Sequence, residues 1–200
     1  MLLALALMAQ DVTVNADANQ AVTCGHAVVA SRPAGGAPSG TTMLQAVYFM
    51  MAAAQADPVP GKRFLERTTD IAPLIFKEDK QSPAQFAATL TACDKRYPLA
   101  RSTAPAKLPT DSFQRDLICA AASSYAFGIL QGAGVTAKVD EYQRIQQGFL
   151  TRIPDTLLAE RGIKDSDGIV GAMDNALAST TRIGNLETIL VACARELDGK

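Results

Sequence analysis

The amino-acid sequence predicts an all-α protein built from two tandem, related helical units of about four helices each. Alanine occurs in runs such as 52–54 and 120–122, tryptophan is absent, and aromatic residues make up only 6% of the chain. Alanine favours helix because it loses no side-chain entropy there. Apolar residues also recur at helical spacing, whereas the two-residue period of a strand is nowhere convincing. We therefore expect eight to nine helices.

The four cysteines are the main evidence for two units. Cys24 precedes Cys93 by 69 positions, Cys119 precedes Cys193 by 74, and the residues around Cys93 resemble those around Cys193. Four cysteines allow three pairings, and a duplication does not choose among them. We favour Cys24–Cys93 and Cys119–Cys193, since each unit would then be closed by its own disulfide. Closing a loop of ~70 residues stabilises by about 4 kcal/mol in the chain-entropy model.

In the first unit, turn and capping residues separate the helices. Asn19 is the predicted cap of the first helix, which reaches Val29. Thr41 or Thr42 is the predicted cap of the second helix, which should end before Pro58 because the residue before a proline disfavours helix.

The rest of that unit predicts two more helices. Apolar residues at helical spacing over 64–72 predict the third, and Pro73 marks a kink or a fresh start. The fourth begins at Ser82, with proline in its first turn and Gln85 able to reach back to the cap, and it stops at Pro98.

Residues 98–110 contain three prolines and few large apolar groups, so they are predicted to link the units. The second unit repeats the plan of the first. Asp111 and Asn185 are the predicted caps of its first and last helices, and Gly162 is expected to end a short helix in the left-handed conformation. The helices between them follow apolar stripes that include Val139, Tyr142, Ile145, Phe149, Leu157, Leu158, Ile169, Val170, Met173 and Leu177.

The N-terminus is predicted to be a signal peptide, residues 1–16, with a truncated positive region. Residues 1–9 form an apolar run of the right length for a signal-peptide core and too short to span a bilayer. A cut after Ala16 is preferred and a cut after Ala9 is the alternative; a buried first helix is the other interpretation. The units are then residues 17–97 and 111–200.

A periplasmic or secreted protein is expected, with no membrane span in its mature form. No other run approaches the ~20 apolar residues that a spanning helix needs. Export also agrees with the even number of cysteines, because disulfides persist in oxidising compartments.

No motif supports a catalytic, cofactor or metal site. The only histidine follows Cys24 by two residues, and on a helix such residues point about 200° apart, so Cys24 and His26 cannot form a local dyad. Residues 164–168 resemble the middle of a calcium loop, but Ile163 and Asp174 would fill its first and last positions poorly, which favours helix capping. A net charge of −1, from 19 basic and 20 acidic residues, gives no argument for nucleic-acid binding.

The second helix provides a possible surface for a partner or an apolar ligand. Its apolar residues cover more than one face, and methionine is frequent at adaptable binding surfaces. The favoured alternative is that this helix is buried between the two units. The residues of the possible surface are Met43, Val47, Met50 and Met51.

We therefore expect an exported, non-enzymatic helical protein that needs no cofactor and binds an unknown protein or an apolar small molecule. The alternatives are a small-ligand carrier with a dry cavity between helices, and an enzyme with its site between the units, using groups such as Glu187 with arginine or lysine. A cleft that gathers polar side chains would favour the enzyme. An apolar groove would favour binding.

Overall fold

Helices are the only regular elements in the residues that the computed structural model describes, which are 12–31, 38–77 and 83–199. A 3-10 turn, Pro83–Phe86, precedes the fourth helix. The nine α-helices of these residues are α1 (Ala16–Ala30), α2 (Gly40–Ala56), α3 (Phe64–Ile75), α4 (Ala87–Arg96), α5 (Ser112–Gly132), α6 (Val139–Leu150), α7 (Asp155–Glu160), α8 (Ser166–Thr180) and α9 (Leu186–Leu197). The all-α prediction is confirmed.

The predicted caps of the second half are correct. The Asp111 carboxylate accepts the Gln114 N–H at 2.8 Å, and the Asn185 side chain accepts the Thr188 N–H at 3.0 Å. Gly162, just after α7, has a φ of +78°, the left-handed conformation in which a side chain is disfavoured.

The predicted starts of the first two helices were wrong by a few residues. Asn15, not Asn19, caps α1 by accepting the Ala18 N–H, and Ser39, rather than Thr41 or Thr42, caps α2 by accepting the Thr42 N–H. Ala18 is fully buried, so the extra turn of α1 adds to the core.

Two other expectations concern α3 and α4. Pro73 does not end α3, which continues to Ile75, because Ile71 and Ile75 are both fully buried and hold this turn against the core. Ser82, the predicted cap of α4, lies outside the described residues. Pro98 does follow the end of α4, as predicted.

Both predicted disulfides are present. Cys24 in α1 is bonded to Cys93 in α4, and Cys119 in α5 is bonded to Cys193 in α9. The Cα–Cα distance is 5.7 Å in each, within the usual range for a disulfide. Each half of the chain is therefore closed between its first and last helix.

The two halves differ in helix number, so the tandem repeat stays a prediction. Among the described residues, the first half has four α-helices, α1–α4, whereas the second has five, α5–α9, including the short α7. Residues 98–110 contain no helix and pack against the start of α9: the Asn185 amide donates to three of their carbonyls, and the Ala106 N–H donates to Thr188.

Helix α2 lies between the halves. Its Tyr48 hydroxyl donates to the Thr181 carbonyl at 3.3 Å, and its Gln55 amide donates to the Ala178 carbonyl at the end of α8. Thr181 also donates to Gln55 at 2.7 Å. These bonds and the apolar face of α2 join the first half to the second.

The methionine-rich set of α2 belongs to the core. Val47 and Met51 are fully buried, Met50 is buried and Met43 is partly buried. These four side chains therefore do not form the exposed contact surface that was considered from the sequence. The reason is that their helix is enclosed by neighbours from both halves, as the alternative interpretation of the sequence had it.

Candidate functional site: a groove between α3, α5 and α8

An open groove of about 560 Å³ lies between one helix of the first half and two of the second. Helix α3 forms one wall, α8 the other, and α5 the floor. On each helix the lining residues follow helical spacing, so each helix turns one face towards the groove. They are Arg63, Leu65, Glu66 and Thr69 at α3, Ala121, Ser124 and Tyr125 on α5, and Ile169, Val170, Met173, Asp174 and Leu177 on α8.

The groove is lined mainly by apolar side chains, and these include exposed ones. Five large apolar side chains are exposed in the described residues, and three of them line this groove. Leu65 is 39% exposed on the α3 wall, and Ile169 and Val170 are 39% and 42% exposed on the α8 wall. Removing large apolar groups from water is favourable. Their grouping on both walls therefore marks a surface suited to an apolar occupant.

Asp174 fixes the two walls relative to each other. Its carboxylate accepts the Phe64 and Leu65 N–H groups of the first turn of α3, each at 2.8 Å. These N–H groups have no partner within their own helix, and the positive end of the helix dipole favours a carboxylate there. One side chain of α8 thus caps α3 across the groove.

Charged groups on and beside the α3 wall are mostly bonded to one another. Arg63 forms an ion pair of 2.7 Å with Glu66, and Lys62 forms one of 2.6 Å with Asp70. Hydrogen bonds from the side chain and backbone of Arg63 lower the pKa of Glu66, so this carboxylate stays ionised at neutral pH.

Two hydroxyl groups lie in the floor. Ser124 donates to the Ala120 carbonyl at 2.7 Å and accepts from the Gln146 amide at 2.8 Å, so its oxygen is held by the α5 and α6 helices. Burial raises the pKa of Tyr125, because the phenolate would lose hydration, and the ring therefore remains neutral.

His26, the only histidine of the chain, forms no dyad with Cys24, as the sequence predicted. Cys24 is in its disulfide, while the His26 imidazole Nδ1 lies 3.0 Å from the Ile75 carbonyl and its ring packs edge-on against Phe86. This histidine borders a separate and smaller pocket of about 280 Å³.

The other sequence candidates also lie outside the groove. Glu187 forms an ion pair of 3.0 Å with Lys138 beside a pocket of about 140 Å³ near the start of α2. Residues 164–168 cap a helix: the Asp165 side chain accepts the Gly168 N–H at 2.7 Å. Within the described parts of the chain, no cluster of three or more metal-ligating side chains is present, and no helix is both long and apolar enough to cross a bilayer.

The groove itself was not found from the sequence. Ile169 and Val170 were recognised as part of an apolar stripe, which predicts a buried face of a helix. The one available signal is the width of the stripe: Val170, seven positions before Leu177, lies on the same side of the helix, whereas Ile169 is rotated by about 80° from it, so the apolar surface is wider than one packing face needs. Nothing in the local sequence indicates that α3, over ninety residues earlier, forms the opposite wall.

Comparison of this chain with protein-family models, with curated proteins and with solved structures finds no match.

Proposed function

We propose that this chain is an exported helical binding protein, periplasmic or secreted, which holds an apolar small molecule in the groove between α3, α5 and α8. The observation that carries this proposal is the exposure of Leu65, Ile169 and Val170 on facing walls of one cavity. The cavity volume, about 560 Å³, falls within the range of about 300–1,000 Å³ that is common for small-molecule sites.

The charged groups of the groove support binding rather than catalysis. Arg63 and Glu66 bond to each other, and both oxygens of Asp174 accept backbone N–H groups of α3. A general acid or base must be able to exchange a proton with the substrate, and its pKa must lie near the working pH. These groups instead have structural partners, which suits a site whose role is to bind.

The two disulfides support the proposed location. Neither half leaves a free cysteine in the described residues, and structural disulfides of this kind persist in oxidising compartments. Export also accords with the apolar run at residues 1–9.

The proposal is tested by titrating the disulfide-bonded protein with N-phenyl-1-naphthylamine, a neutral apolar probe whose fluorescence rises when it leaves water. We expect saturable binding to the unsubstituted chain. Val170→Ser should weaken it by about 3- to 10-fold, since about 0.8 kcal/mol is lost per methylene group removed from the contact.

Val191→Ser is the matched control, because Val191 is 36% exposed in α9 and does not line the groove. It should leave the affinity unchanged. Absence of saturable binding, or an equal loss in the two variants, would show that the groove is not the site.

A further inference from the structure

We infer that the groove selects a cationic amphiphile, a single apolar chain that ends in an amine or quaternary ammonium group. This inference rests on the proposed function, because it concerns the ligand class of the same groove. Its basis is the arrangement of charge around an otherwise apolar opening.

The ion pairs on and beside the α3 wall leave a negative charge unbalanced. Arg63 is offset by Glu66 and Lys62 by Asp70. The pKa of Arg63 is raised mainly by its bond to Glu66, and further by the charges of Asp174 and of Asp167, an exposed carboxylate in the first turn of α8. With these two added, four carboxylates and two cations lie on or beside the α3 and α8 walls.

Helix dipoles offset part of this charge but not all of it. The start of α3 carries a partial positive charge of about half a unit, and Asp174 caps it. The start of α8 carries a similar charge, and the Asp165 side chain caps it. Asp167 is additional to both caps, and no side chain among the described residues forms an ion pair or hydrogen bond with it.

Asp167 is not itself a lining residue, but it lies in the first turn of α8, just before the part of this helix that forms the wall. It precedes Val170 by three positions and Asp174 by seven, so all three lie on one face of α8. A ligand whose chain lies against Ile169 and Val170 therefore places its headgroup next to a carboxylate. An anionic headgroup would be repelled there, whereas a cationic one would be attracted.

The groove also has an aromatic side chain in its lining. Tyr125 lines the floor, and its phenol stays neutral because burial disfavours the phenolate. The face of a tyrosine ring attracts a quaternary ammonium group through its quadrupole, an interaction that strengthens when water is excluded.

The experiment compares three probes with the same ten-carbon chain and different headgroups: decyltrimethylammonium, decyl glucoside and decyl sulfate. Each is titrated calorimetrically into the disulfide-bonded protein below its micelle-forming concentration, at low and at high NaCl. We expect the cation to bind most tightly and the sulfate least tightly. Salt should reduce the difference, because it screens charges at an exposed rim.

The variant Asp167→Asn tests the cause. It should weaken binding of decyltrimethylammonium by about 2- to 5-fold, the size expected for one exposed charge pair, strengthen binding of decyl sulfate and leave decyl glucoside unchanged. Asp140→Asn is the matched control, since Asp140 is an exposed acid in the first turn of α6, a helix that contributes no lining residue to the groove. It should change none of the three affinities.

The outcomes separate the two proposals. Equal affinity for the three probes, or tightest binding of the sulfate, would overturn charge selection while leaving an apolar binding groove. An equal effect of the two aspartate variants would also overturn it. If none of the probes binds, both the inference and the proposed function fail.

Discussion

Gly25 shows how one missing side chain sets the distance between helices. A Cβ atom built at this position would lie 2.9 Å from the Cβ of Phe49 in α2 and 2.6 Å from the Cδ1 of Ile75 in α3. Contacts below 3.0 Å are shorter than carbon atoms tolerate, and the Phe49 Cβ is fixed to its backbone. The close approach of α1 to α2 and α3 therefore depends on glycine here.

Replacing Gly25 should destabilise the fold, although alanine is the better helix former. We expect Gly25→Ala to lower the free energy of unfolding by about 1–3 kcal/mol, because overpacking must be relieved by shifting a helix. Urea denaturation followed by circular dichroism measures the change.

Gly128→Ala in α5 is the matched control, since a Cβ there meets no atom within 4 Å. It should raise the free energy of unfolding by about 0.5–1 kcal/mol through helix propensity alone. Similar changes of one sign in both variants would contradict the packing argument.

At the residue scale, the sequence predicts a feature where the physical cause is local. Asp111 and Asn185 were identified correctly as caps because their partners are three residues away. The role of Gly25 was not foreseen, since its neighbours Phe49 and Ile75 come from other helices. The same applies to Asp174, which was considered as a calcium ligand and instead caps a helix more than one hundred residues earlier.

At the scale of elements, the two terminal helices of the halves are held very differently. In α4 only Cys93 is buried, whereas α9 buries six residues, including Ile189 and Leu190. The Cys24–Cys93 disulfide is therefore the main attachment of α4, while α9 is attached by its apolar face as well. Cysteine spacing predicted the two bonds correctly but could not reveal this difference, which depends on tertiary packing.

Removing each disulfide should therefore have a distinct effect. In Cys24→Ala/Cys93→Ala, we expect the amides of α4 to lose most of their protection from hydrogen exchange while the other helices stay protected, because local detachment exposes little apolar surface. In Cys119→Ala/Cys193→Ala, α9 should stay protected, and the free energy of unfolding should fall by up to about 4 kcal/mol.

Hydrogen exchange measured by mass spectrometry, with urea denaturation in parallel, distinguishes the effects of the two double variants. The prediction is wrong if α4 and α9 lose protection to the same extent. It is equally wrong if α4 keeps full protection without its disulfide.

At the scale of the whole molecule, fold class was within reach of the sequence and the groove was not. Helical spacing and composition are properties of neighbouring residues, and they predicted the all-α class and a number of helices that agrees with the nine described. The groove arises where α3 and α8 meet over α5, and the walls of a groove are fixed by packing between distant segments. The interpretation of α2 as buried between halves was correct because its apolar residues surround the helix.

The N-terminal residues also take part in the packing of the whole chain. Arg67 in α3 is 6% exposed, and its guanidinium donates to the Thr13 carbonyl at 3.0 Å as well as to Asp57 at the end of α2. Asn15 caps α1 and donates to the Ala56 carbonyl at 2.7 Å. Residues 13–15 thus tie α1, α2 and α3 together, so a cut after Ala16 would remove the acceptor of the Ala18 N–H and one of the acceptors of Arg67.

If the chain is exported as proposed, we therefore expect the cut to fall after Ala9 rather than after Ala16. A chain that begins at Asp17 should have a free energy of unfolding about 2–4 kcal/mol lower than one that begins at Gln10, from the lost helix cap and the acceptor lost to Arg67. Urea denaturation of the two chains measures this difference, and N-terminal sequencing of the exported protein locates the cut. Equal stability of the two chains would show that residues 13–15 do not hold the three helices, and an exported protein beginning at Asp17 would show that processing removes them.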